Sequence, residues 1–575
     1  MHRCTIVGFI GFALGCVPFD GAAQSEDDDY SGLVRESVVR RDGQEMLGES
    51  HDPYTGLLNI LHFDVVEKGV GPPIRIGRTI DVGDSQFTIG QSGEFGDWRI
   101  VLPMLTTLAA TDADVNGEDE WIVERFRHPD AYKRCSAFKA PPSEGGGPAH
   151  IWWLGVSLHD GEGRTEMLLK REKSTPFPRP ALALDVDDYP LLTRSGWSVG
   201  CLSNTSNGEK GEGFFAIDPS GSRYWFDHIS FKGHHGFFRS SGSALKETRS
   251  RAFAFPSRIE DRFGNSLSFS YGEYGPIAIS ASDGRHVEIG WIKGGSFHGI
   301  TYGLISEVRV GSKGGIYRSY FYRYGADVGR IANSSRFALT QVVQPDGSEW
   351  IFSANIDVYK PAKYARGPGG CLVDSYRSGG AFFDMAAPSG LSVRYELSST
   401  RHGYSFAPPP SCGRVGFFVA KSLKTARYFG PGVDFSINYK YSFDRSFRAD
   451  CTKLANCVDY TSMDIVFPNG TKKRIYSVNK YGDVREGLPV RIEFFDAHGK
   501  LLRREDISYA DGGSVGNSFV VGPRLSGINP ARFQDLLTES ERVVMLDGRY
   551  YSRKVVEFDS LGRPLIIESL NSGDP

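Results

Sequence analysis

Apolar and polar residues alternate with a period of two along much of this chain. Leu267, Phe269 and Tyr271 fall on one side of such a stretch, and Ser266, Ser268 and Ser270 on the other. Phe435, Ile437, Tyr439, Tyr441 and Phe443 alternate in the same way with Ser436, Asn438, Lys440 and Ser442. Leu391, Val393, Tyr395 and Leu397 repeat the pattern, as do Tyr320, Tyr322 and Tyr324. Strands that bury one face and wet the other read this way, as they do in antiparallel sheets. Turn signals separate the stretches: Asp218-Pro219-Ser220-Gly221, Phe263-Gly264-Asn265, Asp283-Gly284-Arg285, Pro345-Asp346-Gly347-Ser348, Pro468-Asn469-Gly470-Thr471, Asp547-Gly548 and Leu561-Gly562-Arg563. Asp-Gly and Asn-Gly supply the positive-φ positions that two-residue hairpin loops need. The turns are irregularly spaced, which predicts a degenerate hairpin repeat rather than a solenoid of fixed period. One stretch breaks the pattern. Asn529 as cap, Pro530 at the first position and an apolar face of Phe533, Leu536 and Leu537 predict a short helix near residues 530–541.

Composition sharpens this all-β reading. The chain has 575 residues, 40% of them hydrophobic, with 69 glycines and 26 tyrosines, so a large core and many tight turns are both available. The formal net charge is only −3, which excludes a basic field for nucleic acid; the run Lys472-Lys473-Arg474 reads as a solvated strand end.

The N-terminus reads as a signal peptide over residues 1–23, with Arg3 before an apolar stretch and Gly21-Ala22-Ala23 as the cleavage site. Residues 24–50, opening on Glu26-Asp27-Asp28-Asp29, read as a mobile acidic leader. No later stretch is apolar enough to span a bilayer, so the mature chain is expected outside the cytoplasm: periplasmic, extracellular or at the cell surface. Cys135, Cys201, Cys371, Cys412, Cys451 and Cys457 remain after cleavage. An even count in an exported chain predicts disulfides, and no CxxC spacing supports zinc. Six cysteines allow about 15 connectivities; the expected pairing joins Cys451 with Cys457, Cys371 with Cys412 and Cys135 with Cys201.

Three local patterns carry candidate chemistry. Asp112, Asp114, Asn116, Glu118 and Glu120 place oxygens at alternate positions around Gly117, as a calcium loop requires, although the twelfth position is Val123. A solvated acidic turn is the competing reading, and calcium is the one cofactor the sequence suggests. Gly196-Trp197-Ser198-Val199-Gly200 matches the nucleophile pattern of hydrolases. That chemistry needs a strand-to-helix elbow, and no helical period follows Ser198, so the segment reads as a strand and no catalytic residue is assigned. His228, His234 and His235 cluster near an aromatic stretch, but adjacent residues point to opposite faces of a strand, which disfavours a shared metal.

The segments DPYTGLLNILHFDVVEKGVGPPIRIGRTI (52–80), FGDWRIVLP (95–103), GEGFFAIDPSGSRYWFD (211–227), IEDRFGNSLSFSY (259–271), SDGRHVEI (282–289), LTQVVQPDGSEWIF (339–352), PSGLSVRYEL (388–397) and EFDSLGRPLIIE (557–568) together resemble the N-terminal part of Rhs (YD-repeat) proteins over most of residues 50–575. The resemblance implies an extended, curved antiparallel sheet of repeat hairpins, with an N-terminal region over 51–200 and a repeat region over 201–575. In complete relatives such a sheet coils into a shell around a C-terminal toxin. The family's core signature and a toxin domain are not found in these residues. The expectation is therefore a secreted, non-enzymatic piece of shell linked to toxin delivery or intercellular competition, with a separately encoded remainder or cargo as partner. Two alternatives stay open: an adhesin-like module binding glycans through its aromatic rows, and a hydrolase using Ser198. The last strand, near Leu561 to Glu568, is expected to be an unpaired sheet edge.

Overall fold

The computed structural model describes residues 46–82, 93–111, 119–122, 132–139, 155–171, 179–181, 186–238, 246–297, 300–312, 314–315, 317–326, 337–355, 363–366, 372–375, 380–403, 417–442, 460–479, 483, 485–510, 537–559 and 561–571. Every regular element among them is a β-strand, so the chain is all-β.

The turns explain how so long a ladder is built. At 218–222, 261–265, 344–348, 387–391, 467–471, 496–500 and 559–563 the same hairpin closure recurs. The first residue's N–H donates to the fifth residue's carbonyl, and the first carbonyl accepts from the glycine N–H at the fourth position. The glycine φ values run from +71° to +89°. This is a three-residue loop closing on a left-handed glycine. The aspartate serves it from either of two places. At the first position, Asp218, Asp261, Asp496 and Asp559 each accept from backbone N–H groups two and four residues on. At the third position, Asp346 and Asn469 accept from Ser348 and Thr471. The expected two-residue loop with both φ values positive occurs at Asp547-Gly548, at +50° and +77°. Elsewhere in this set one glycine suffices, because the other loop residues lie in ordinary turn conformation.

Strands joined by these turns pair antiparallel with their neighbours in order, from Leu169–Lys170 to Pro564–Asn571. A small hairpin, Lys363–Arg366 with Leu372–Ser375, stands aside, so Glu349–Asn355 pairs directly with Gly380–Ala386. Near the start the sheet branches: Pro103–Thr111 pairs with both Lys246–Glu260 and Ser157–Asp160. The sheet coils but does not close into a barrel. Among the described residues no register joins Pro564–Asn571 to any strand except Arg549–Phe558. Its two ends nevertheless touch, because Arg194 in an early turn donates to Gly562 O at 2.9 Å and to Thr538 Oγ1.

The expected helix is corrected where it can be seen. Residues 530–536 lie outside the described residues, but Thr538–Leu546 is a strand, pairing Ala510 with Thr538 and Ser508 with Glu541. The local helical pattern loses to ladder hydrogen bonds offered by Leu501–Ala510, a partner that spacing within the segment does not reveal.

A separate four-stranded sheet, Glu49–His51, Leu58–Glu67, Ile74–Val82 and Arg99–Val101, lies against the inner face of the large sheet. Ile60, Val65, Ile76 and Trp98 share one core with Val287, Val308, Val342, Phe352, Val393, Tyr395, Tyr428 and Ile475. A second core, under Trp197, Phe214 and Phe226, holds Cys135.

Candidate functional site: the seat of the N-terminal sheet and a neighbouring cleft

The inward rows of the large sheet are large and aromatic, so they need a partner layer, and the four-stranded sheet supplies it. At the centre, Arg78 and Asp64 form a buried ion pair at 2.9 Å, and Tyr322 donates its hydroxyl to Asp64 at 3.1 Å. The Arg78 guanidinium lies 4.5 Å from the Trp98 ring centre and 4.8 Å from that of Phe352, so both rings face its charge. His62 completes the cluster. Its Nε2 lies 2.6 Å from the Leu47 carbonyl and must carry the proton, which leaves Nδ1 to accept from Arg78 at 3.2 Å. Burial, helped by the Arg78 charge, lowers the His62 pKa from the usual 6.5 to about 4.

Two further contacts hold the seat. In the first, the turn after Glu49–His51 is folded on Asp52, whose Oδ1 accepts from the Tyr54 and Thr55 N–H groups. That turn wedges against the large sheet: Leu423 N–H donates to Gly56 O at 2.8 Å, Ser422 Oγ to Thr55 O, and Tyr54 Oη to Asn479 at 3.1 Å. Beside it Tyr428 donates to the buried Glu49 carboxylate. The second contact is a glycine-proline loop that reaches the rim. Arg285 donates to Glu67 O at 2.6 Å and Pro72 O at 3.0 Å, and Arg318 pairs with Glu67 at 2.6 Å. Hydrogen bonds from Arg285 hold the Asp283 carboxyl down at about 2.

The consequence concerns space. From Ile259 to Ile475 the inner face is packed under the chain's own N-terminal sheet. Tyr322, Ile437 and Tyr439 are buried there, and Tyr320, Tyr324, Phe435 and Tyr441 pack against the same core. These aromatic rows are core, which removes them as a stacking platform for sugars; Phe443 lies outside the described residues.

An open cleft of about 330 Å³ lies beside this seat, lined by Glu94, Asn207, His228, Lys232, Tyr271 and Glu273 among others. Lys232 pairs with Glu94, which also accepts from Ile100 N–H at 2.8 Å. Burial raises the Glu94 pKa, and Lys232 with the Ile100 N–H outweighs it, so the net shift is downward. His228 stacks on Tyr271 with ring centres 3.7 Å apart, and burial lowers its pKa to about 4, so it is neutral at pH 7. Neutral rings and carboxylates around one amine suit hydrogen bonding to hydroxyls, and a strongly anionic ligand would face repulsion.

The other sequence candidates scatter. Ser198 opens the strand Ser198–Leu202, pairing with Leu192 and Ile217, and its hydroxyl accepts from Arg171 at 2.8 Å. It is 3% exposed and stands in mid-sheet, not on an elbow. Cys135 and Cys201 are joined in a disulfide that closes a span of 66 residues, and Glu212 fastens the same loop by accepting from the Cys135 and Ser136 N–H groups at 2.9 Å. Cys371, Cys412, Cys451 and Cys457 lie outside the described residues, as do Asp112, Asp114, Asn116 and Glu118. Glu120 falls in the strand Asp119–Ile122. His234 is in the strand Arg223–Phe238, its backbone opposite Arg249, and His235 follows it. Sequence reasoning missed Asp64, Arg78 and His62. The local signal was an alternating His-x-Asp in an otherwise apolar strand, which gives no hint of burial.

No family model matches the chain, and no curated protein does. Among solved structures it is similar to the crystal structure of TcdB2-TccC3 without hypervariable C-terminal region, at 9% identity and a TM-score of 0.13, over 85% of this chain and 27% of that chain.

Proposed function

We propose that this chain is a secreted, non-enzymatic structural protein of the Rhs/YD-repeat type, a segment of β-shell associated with toxin delivery or intercellular competition. The observation that carries the reading is a coiled sheet of aspartate-glycine hairpins whose inner face is packed on the chain's own N-terminal sheet. Repetition of one turn chemistry along an open antiparallel ladder suits a wall built by hairpin addition, since a lone hairpin is marginally stable in water. Filling of the inner face from Ile259 to Ile475 supports a refinement. Enclosed cargo would have to lie against the later strands, and a separately encoded remainder would continue from the open edge at Pro564–Asn571. Co-expression with the neighbouring reading frame tests this. A stable complex in which the neighbour's product gains protease resistance is expected, and co-purification without protection would overturn encapsulation. Intact mass of exported protein tests the secretory part, with Gln24 as the expected first residue.

A second reading, a glycan-binding surface module, is favoured by the cleft at His228, Tyr271 and Glu273. Loss of glycan-array signal in a Glu273→Ala variant would support it over the shell reading, and absence of any signal in the native protein would remove it.

A further inference from the structure

The last hairpins carry an arginine cluster on their inner face. Residues directly opposite across paired strands share a face. One row reads Phe494, Arg503, Leu546, Arg549; the row four positions away reads Ile507, Arg542, Arg553, Ser569. Between them runs Ile492, Glu505, Val544, Tyr551. This is the side that faces inward, because Ile475 of the core opposes Ile492 and both Glu505 and Ile507 are buried. Two of the four arginines are balanced: Arg503 and Arg542 bind Glu505 at 2.6 and 2.5 Å, and Arg542 also binds Glu539 at 2.7 Å. Arg549 and Arg553 are exposed, and neither forms an ion pair among the described residues. Arg553 stands directly opposite Arg542, a like-charge arrangement that costs stability. A cross-strand arginine pair kept on an open inner face, in a chain of net charge −3, calls for an acidic occupant.

We propose that this face receives the chain's own acidic segment, Glu26-Asp27-Asp28-Asp29. Charge complementarity is the first argument and reach is the second. Glu49 is anchored on Tyr428 of the strand Phe417–Gly430, so the chain preceding it enters beside that strand. The arginine rows begin on Leu501–Ala510, five strands further along the sheet. Neighbouring strands are about 4.8 Å apart, so Arg549 and Arg553 lie roughly 34 Å across the sheet from Phe417–Gly430. The residues between Asp29 and Met46 span up to about 55 Å when extended. Tethering at that range gives an effective concentration on the order of millimolar, enough for a modest electrostatic contact to be occupied. The bound segment would shield the Arg542–Arg553 repulsion and cover the inner face next to the open edge.

The test is fluorescence anisotropy at low salt with a labelled peptide of residues 24–34. It uses the full chain, native or with Glu26→Gln, Asp27→Asn, Asp28→Asn and Asp29→Asn combined. The neutral-leader protein is expected to bind the peptide at least about tenfold more tightly than the native protein, whose tethered leader competes. Adding Arg549→Glu and Arg553→Glu to the neutral-leader protein should abolish binding, and both changes are at exposed positions. Equal affinity of native and neutral-leader proteins, or binding that survives the arginine changes, would overturn the proposal. So would polyglutamate binding equally to the native and neutral-leader proteins, which would assign the face to an acidic partner in trans.

Discussion

Tyr322 and Asp64 are 258 residues apart in the chain and meet at 3.1 Å, hydroxyl to carboxylate, where the N-terminal sheet crosses the inner face of the large one. Asp64 also balances the fully buried Arg78. The two partners should therefore differ in what their loss costs. Tyr322→Phe removes one charge-assisted hydrogen bond and should cost about 2 kcal/mol. Asp64→Ala strands a buried guanidinium and should cost about 3–5 kcal/mol. Denaturant midpoints decide between them; equal losses would mean that Arg78 finds another partner.

Part of the pH dependence follows from His62, and His228, lowered to about 4 as well, adds to it with the same sign. The folded pKa of His62, about 4, is below the unfolded value of 6.5, so the unfolded chain binds more protons between those limits. Stability is then fully present above pH 6.5 and falls as pH drops toward 4, by about 3 kcal/mol at most. His62→Gln should make that slope shallower in denaturation curves taken from pH 7 to 4.5. An unchanged slope would place the effect on other groups.

Two glycines separate conformation from contact. At Gly264 φ is +88° and an added Cβ meets nothing within 4 Å, so Gly264→Ala should cost about 1 kcal/mol. At Gly56, with φ +70°, the Cβ would strike Tyr441 Oη and lie 2.7 Å from Ser422 Cβ. Gly56→Ala should lift the N-terminal turn from its seat and lower the melting temperature several times as much as Gly264→Ala does.

Reduction of the Cys135–Cys201 bond frees a span of 66 residues, worth roughly 4 kcal/mol in chain entropy. A Cys135→Ser, Cys201→Ser double variant should melt well below the native protein when both are measured without reductant.

The final strand exposes Leu565, Ile567 and Leu570, with Leu570 68% exposed. Such an edge invites pairing with another chain. Leu565→Lys with Ile567→Lys should shift light-scattering mass toward monomer at high protein concentration. A native chain that is strictly monomeric under the same conditions would show the edge to be inert alone.

Alternation and turn chemistry in the sequence were enough to determine an all-β ladder and where many of its hairpins close. Both are local properties: a strand's two faces and a glycine's positive φ are written within a few residues. Locality also set the limit. Aspartate-glycine pairs marked the turns but not their loop length, because three-residue closure depends on which strand positions pair. The aromatic rows at Tyr320–Tyr324 and Phe435–Tyr441 declared an apolar face without saying what covers it. Only the tertiary structure put the Glu49–Val101 sheet there and made His62, Asp64 and Arg78 one buried cluster. It likewise turned the segment after Leu537 into a strand, since Leu501–Ala510 offers it a ladder across an intervening stretch. A residue's burial depends on partners hundreds of positions away, and no pattern within a strand records their arrival.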